Sequence, residues 1–295
     1  MNYRQLYNEG RRRLETAGIT DAALDARILL EEICHTNLQT LLTDPERAVT
    51  VEEEAAYRGL LYRRENREPT AMILGKWDFC GLTFALNEET LIPEQDTERL
   101  VEVVLERQQE IPENAGARDT SSNGQTRQLR ILDLCTGSGC ILLSLLHFIP
   151  GASGLGTDIS ARALEAAKAN AVALGLEGRA CFARGNMWEP AGDERFDLIV
   201  SNPPYIPTGV IPTLEPEVRC GEPYAALDGG EDGLDFYRII ARRAARHLRP
   251  GGLLFLESGF DEAQAIQKLL SEQGFEDIRI DQDYGGLDRV VSARI

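Results

Sequence analysis

The chain has 295 residues, 43% apolar and 27% charged, which suits a globular protein with one large and one smaller domain. Its 31 basic and 48 acidic residues leave a formal net charge of −17, which disfavours a nucleic-acid backbone as main partner and favours a protein or small-molecule substrate. Six cysteines without a CxxC pair and three scattered histidines imply reduced thiols, a cytoplasmic location and no metal site.

The opening MNYRQLYNEGRRRLE lacks the apolar centre of a secretory leader, and no apolar run approaches the roughly 20 residues of a membrane span. Residues 1–70 read as a small helical bundle in which nothing suggests catalysis, and contact with a protein substrate is the role expected of it. Thr20 or Asp21 can cap DAALDARILLEEIC, where Leu24 and Ile28, then Leu29 and Ile33, repeat at helical spacing. Thr50-x-x-Glu53 is a capping-box pattern before VEEEAAYRGLLYRREN, with Ala56–Leu60 and Tyr57–Leu61 along one side. Residues 71–92, with aromatics, Gly75 and Gly81, read as a hairpin linker. A helix follows in DTERLVEVVLERQQE. The polar stretch 112–128, rich in Gly, Ser, Thr and Asn, reads as a flexible loop.

From Arg130 onward strands and helices alternate. RILDLC, SGLGTD, ACFARG, FDLIV and LLFLES are separated by helical or loop segments, and DIRIDQ and RVVSARI close the chain with no helix between them. That order predicts an α/β fold: a doubly wound, mostly parallel seven-stranded sheet with an antiparallel hairpin at one edge.

Asp133-Leu134-Cys135-Thr136-Gly137-Ser138-Gly139 ends the first of these strands. Its glycines permit close backbone approach to a ligand. No third glycine and no Gly-Lys-Ser/Thr follow, so neither a dinucleotide fingerprint nor a phosphate-binding P-loop is present. The Asp133 carboxylate suits a cationic amino group. Asp158 ends the next strand at the offset of a ribose-binding acid. Asn186 can meet an adenine edge, and Met187 can pack on the ring. Three strand ends in order read as an S-adenosylmethionine site.

Ser201-Asn202-Pro203-Pro204-Tyr205 follows the fourth strand, where two prolines end the strand and stiffen the loop. The Asn202 amide oxygen and the Pro203 carbonyl can accept both hydrogens of one planar NH2 group, and Tyr205 can stack on it. A delocalised amide nitrogen is a poor nucleophile, and holding its hydrogens out of plane favours the attacking form.

On these segments, together with EPTAMILGKWDFCGLTFALNEETLIP, EPYAALDGGEDGLDFYRII, LRPGGLLFLE and DYGGLDRVV, nearly the whole chain resembles the HemK/PrmC type of protein-(glutamine-N5) methyltransferase. That family modifies the Gly-Gly-Gln glutamine of peptide chain release factors. The resemblance implies a Rossmann-like class I methyltransferase domain over residues 93–295, with release factors as partners. It implies donor-site residues at Cys135, Thr136, Gly137, Ser138, Gly139, Asp158, Met187 and Asn202, and a glutamine site at Asn202, Pro203, Pro204 and Tyr205. The chain departs from the family at Cys135, where glycine is usual, and at Asn186, where aspartate is usual. It departs again at Glu94-Gln95, which replaces Arg-Pro. Asn-Pro-Pro-Tyr alone is shared with enzymes that methylate DNA adenine or rRNA guanine, so that alternative stays open. So does a non-catalytic S-adenosylmethionine-binding protein, with Glu94 marking lost activity.

Overall fold

The computed structural model describes residues 1–111 and 128–295; the stretch 112–128 read above as a loop lies, apart from Gln128, outside the described residues. These fall into two compact units, Met1–Lys76 with Glu215–Gly221, and Trp77–Leu214 with Glu222–Ile295.

The first unit is helical: α1 (Tyr3–Thr16), α2 (Ala22–Cys34), α3 (Leu38–Thr43), α4 (Val51–Glu65) and α5 (Thr70–Leu74). Thr50 and Glu53 form the expected capping box, and Asn2 with Gln5 forms another at the start of α1. On α2 the buried face runs through Ala22, Ala26, Leu29 and Leu30, while Leu24 stays exposed. The bundle therefore packs one step around the helix from the Leu24–Ile28 pair. On α4 it is Tyr57 and Leu61 that are buried, and the Tyr57 hydroxyl donates to the Ala26 carbonyl at 2.9 Å. Buried Arg64 bridges Asp25 at 2.7 Å and Glu217 at 3.0 Å, so the segment Glu215–Gly221 joins this unit through an ion pair distant in sequence. Arg67 pairs with the same Glu217.

A two-stranded hairpin, β1 (Lys76–Phe79) and β2 (Leu82–Ala85), follows, and all of it but Lys76 belongs to the second unit. It is shorter than the 71–92 span read as hairpin, because Thr70–Leu74 is helical and Gly75 ends that helix at φ 67°. Next come α6 (Gln95–Arg107), β3 (Arg130–Leu134), α7 (Cys140–Phe148), β4 (Ser153–Asp158), α8 (Ala161–Ala173), β5 (Ala180–Arg184) and β6 (Phe196–Ser201). After these, α9 (Pro216–Gly221) belongs to the first unit. The chain then forms α10 (Tyr224–Leu227), α11 (Asp235–His247), β7 (Leu248–Glu257), α12 (Ala263–Glu272), β8 (Glu276–Gln282) and β9 (Asp288–Arg294). The large sheet has seven strands in the order β5-β4-β3-β6-β7-β9-β8. Strands β5 through β7 are parallel, and β9 runs antiparallel to both β7 and β8.

Alternate residues of the central strands feed two cores. Ile131, Leu198, Val200, Leu253 and Phe255 pack with α6 and α7; Leu132, Leu134, Ile199, Leu254 and Leu256 pack with α11 and α12. The final strand lies inside the hairpin, against β7. Its Val290, Val291, Ser292 and Ala293 are all buried, whereas the charged EDIRIDQ of β8 tolerates the open edge.

Candidate active site

Strand register assembles the site. Leu134 at the end of β3 pairs with Thr157 of β4 on one side and Ser201 of β6 on the other, so Cys135 leaves the sheet between Asp158 and Asn202. This is the carboxyl edge of a parallel sheet at the point where chain order reverses, β4-β3-β6.

Asp133 is fully buried; the Thr136 hydroxyl donates to its Oδ2 at 2.5 Å, and its Oδ1 has no partner among the described residues. Burial pushes this carboxyl up to about 7. A buried orphan acceptor facing no cation fits the ammonium of an amino-acid ligand. The Cys135 backbone sits at φ 60°, in the left-handed region where glycine is at ease. This explains why a glycine suits the position, and an L side chain there adds strain of order 1 kcal/mol. Its Sγ lies 3.6 Å from the Met187 Sδ, and burial raises the thiol, which stays neutral. Gly139 begins α7 at φ 78°, and a Cβ there would come within 3.2 Å of Ala167 and Leu143.

Asp158 accepts from two backbone N–H groups, Gly137 to Oδ2 and Ser160 to Oδ1, each at 2.9 Å. A carboxylate has about four acceptor positions, so two remain for hydroxyl donors. Burial raises this carboxyl, opposed by those amide bonds. Met187 is buried, with its carbonyl accepting from Thr157 at 3.2 Å. The sequence-predicted residues are not all turned the same way. Ser138 is buried and its carbonyl accepts from Asn170 at 2.9 Å, which ties the loop to α8. Asn186 is exposed, with its backbone N–H donating to Glu189 at 2.9 Å.

On the other side of the β3 loop, Pro203 and Pro204 are buried and Tyr205 is half-buried. The loop is clamped from behind. Ile206 bridges Asp228, its N–H donating to the Leu227 carbonyl and its carbonyl accepting from Gly229, both at 2.9 Å. A Cβ at Gly229 would stand 2.7 Å from the Tyr205 backbone, so only glycine allows this approach. The segment LDGG thus serves as the second wall of the prolyl loop.

Two residues that motif reading did not single out set the Asn202 amide. Its Nδ2 donates to the Thr97 hydroxyl at 3.2 Å, which leaves Oδ1 as a free acceptor. Buried Thr97 also lies by Glu257 at the end of β7, where it opposes the rise of that carboxyl. Glu257 is itself buried, its Oε2 has no partner among the described residues, and burial pushes its carboxyl up to about 8. Thr97 carries no motif of its own, and its role arises only because α6 packs across β7. Glu222 is likewise pushed up to about 8, by burial first and by the Glu94 charge second. The Glu94 carboxyl is raised by burial and by Asp96, although the residue keeps a solvent-facing side. Among the described residues no group of His, Cys, Asp or Glu could hold a metal ion.

Residues 5–75 match the family model of the PrmC N-terminal domain, and residues 121–211 match that of the methyltransferase small domain. A release factor glutamine methyltransferase of Agrobacterium fabrum is 43% identical over 96% of this chain and 94% of its own length. One from Geobacter sulfurreducens is 42% identical over 96% and 93%, and one from Bradyrhizobium diazoefficiens 45% identical over 96% and 91%. Among solved structures, the hMettl16 catalytic domain in complex with an RNA hairpin superposes with a TM-score of 0.53 at 15% identity, covering 83% of this chain and 82% of that one. That likeness speaks for the Rossmann-like methyltransferase fold alone.

Proposed function

The chain belongs to the release factor glutamine methyltransferases, and from that premise we propose that it methylates the side-chain amide nitrogen of the Gly-Gly-Gln glutamine of a release factor, with S-adenosylmethionine as donor. The observation that supports the reading is the Asn202 amide, whose nitrogen donates to the Thr97 hydroxyl and whose oxygen therefore remains available to accept from a substrate.

In this proposal the donor is held along the ends of β3, β4 and β5. Asp133 would pair with its ammonium, the Cys135–Gly139 backbone would border it, Asp158 would accept from its ribose, and Met187 would pack on its adenine. The bound donor supplies an electrophilic methyl group. Asn202 Oδ1 and the Pro203 carbonyl accept the two glutamine N–H hydrogens, while Tyr205 packs on the amide plane. With both hydrogens held, the nitrogen lone pair is directed at the methyl and loses conjugation with its carbonyl. Ionisation before attack is not required, because the nitrogen becomes acidic only as it gains the methyl; one of its hydrogens is then released as a proton to solvent, and the donor would depart as its neutral thioether. The proline backbone and the LDGG wall fix the acceptors before substrate arrives, so little reorganisation is left for the reaction itself.

The described cysteines are all free, which supports a reducing, cytoplasmic location for the enzyme. The relatives do not favour the nucleic-acid amine alternative.

The test is methyl transfer from labelled S-adenosylmethionine to a purified bacterial release factor, beside its Gly-Gly-Ala variant, duplex DNA and rRNA. Label on the wild-type release factor alone is expected. Label on DNA or rRNA overturns the substrate assignment, and label on the Gly-Gly-Ala variant overturns the target atom.

A further inference from the structure

Among the described residues, 22 of the 26 arginines have an ion-pair, hydrogen-bond or ring partner. The four without one are Arg195, Arg242, Arg243 and Arg246. Three of them, Arg195, Arg243 and Arg246, line a single cavity of about 360 Å³ with Gly192, Asp193 and His247. Acidic residues outnumber basic ones by 17 in this chain, so carboxylates are available nearly everywhere; here they are not used.

The cavity lies at the amino end of β6, beside the carboxyl end of α11, whereas the proposed methyl-donor site lies at the other end of β6. Six residues of strand separate the two by roughly 20 Å. Basic residues in the last turn of a helix complement its dipole, which accounts for Arg246. It does not account for Arg243, a turn earlier, or for Arg195, which comes from another segment. Two elements thus present guanidinium groups to one concavity. The buried His247 ring fixes its back wall: it stacks on Trp188 at 4.7 Å, and its Nδ1 donates to the Glu194 carbonyl at 3.1 Å.

We propose that this cavity binds a small phosphate-bearing anion. Guanidinium forks match the tetrahedral oxygens of phosphate in paired N–H···O bonds, and donors converging from two elements enclose such a group better than a flat face would. The volume lies within the usual range of small-ligand pockets, about 300–1,000 Å³. Asp193 at the rim and the carboxyl-terminal dipole of α11 oppose the anion, and three guanidinium groups outweigh them. The charge of the whole chain repels anions at long range, so affinity depends on these local contacts and falls with salt.

The test is calorimetric titration with pyrophosphate at constant ionic strength, on the full-length protein and on two variants. Saturable one-to-one binding is expected. The double variant Arg243→Gln, Arg246→Gln should weaken it at least tenfold, while Arg242→Gln, which does not line the cavity, should leave it within about twofold. Thermal melting of each variant checks that the fold is retained. Absence of saturable binding at millimolar pyrophosphate overturns the proposal, and so does equal binding by the double variant. Binding of an acidic peptide without binding of pyrophosphate overturns the phosphate assignment.

Discussion

Single residues explain how one loop can be rigid and reactive at once. Asn202 is held through its nitrogen by Thr97, and in the proposed mechanism its oxygen accepts from the substrate. Asn202→Ala should therefore lower the methyl-transfer kcat by about 10²- to 10³-fold, as loss of one preorganised group does elsewhere. Donor affinity measured by calorimetry should stay within about threefold; a parallel loss of donor binding would show that Asn202 acts on the donor instead. Asp133 gives a second prediction. Its carboxyl is raised to about 7 by burial, and it pairs with an ammonium only when ionised. Donor affinity should then fall as pH drops below 7, by at most about tenfold per unit, and level off above 8. Titration calorimetry at pH 6, 7 and 8 measures this, and Asp133→Asn should bind weakly with a flat profile. The Cys135 backbone, at φ 60°, shows why that departure from glycine is tolerated: the thiol finds a soft neighbour in Met187 while the loop keeps its left-handed turn.

At the scale of elements, the prolyl loop depends on a segment more than twenty residues downstream. The bridge between Ile206 and Asp228, with the close approach of Gly229 to Tyr205, makes the prolyl loop one strand of a miniature pair. Gly229→Val should push the Tyr205 backbone aside. Displacements of this size near reacting groups cost up to about 10²-fold in rate. The expected result is a reduced kcat/KM toward the release factor with donor affinity unchanged. Wild-type turnover in this variant would show the LDGG wall to be dispensable. The position of β9 inside the sheet follows from the same economy of burial, since an apolar VVSA run gains more there than the charged β8 does.

For the whole molecule, buried carboxyls dominate the response to pH. Glu257 and Glu222 are pushed up to about 8, and Asp133 and Glu262 to about 7, burial being the first cause in each. A carboxyl raised on folding stabilises the protein fully below its unfolded value near 4, and that contribution is lost as pH rises through the folded value. The ligand-free protein should accordingly melt at a higher temperature at pH 6 than at pH 9. Glu257→Gln should shrink the difference. A melting temperature that rises over this interval would contradict the burial of these groups as protonated acids.

Much of this architecture is written in local pattern. Alternating apolar strands and amphipathic helices determine a parallel sheet, because each strand of this kind must be covered on both faces. The glycines after β3 and the prolines after β6 mark the two loops, because no other residues adopt those backbones as readily. What the chain does not display is any pairing between residues far apart in sequence. The Thr97–Asn202 bond spans 105 positions and the Arg64–Glu217 pair 153. Neither has a periodicity or a spacing, so only the folded chain brings them together. The same holds for the buried face of α2, where Leu24 and Leu29 are equally apolar and their neighbours decide which is covered. It holds again for the raised carboxyl of Glu257: its acidity depends on desolvation, and desolvation is a property of the surroundings that tertiary packing builds.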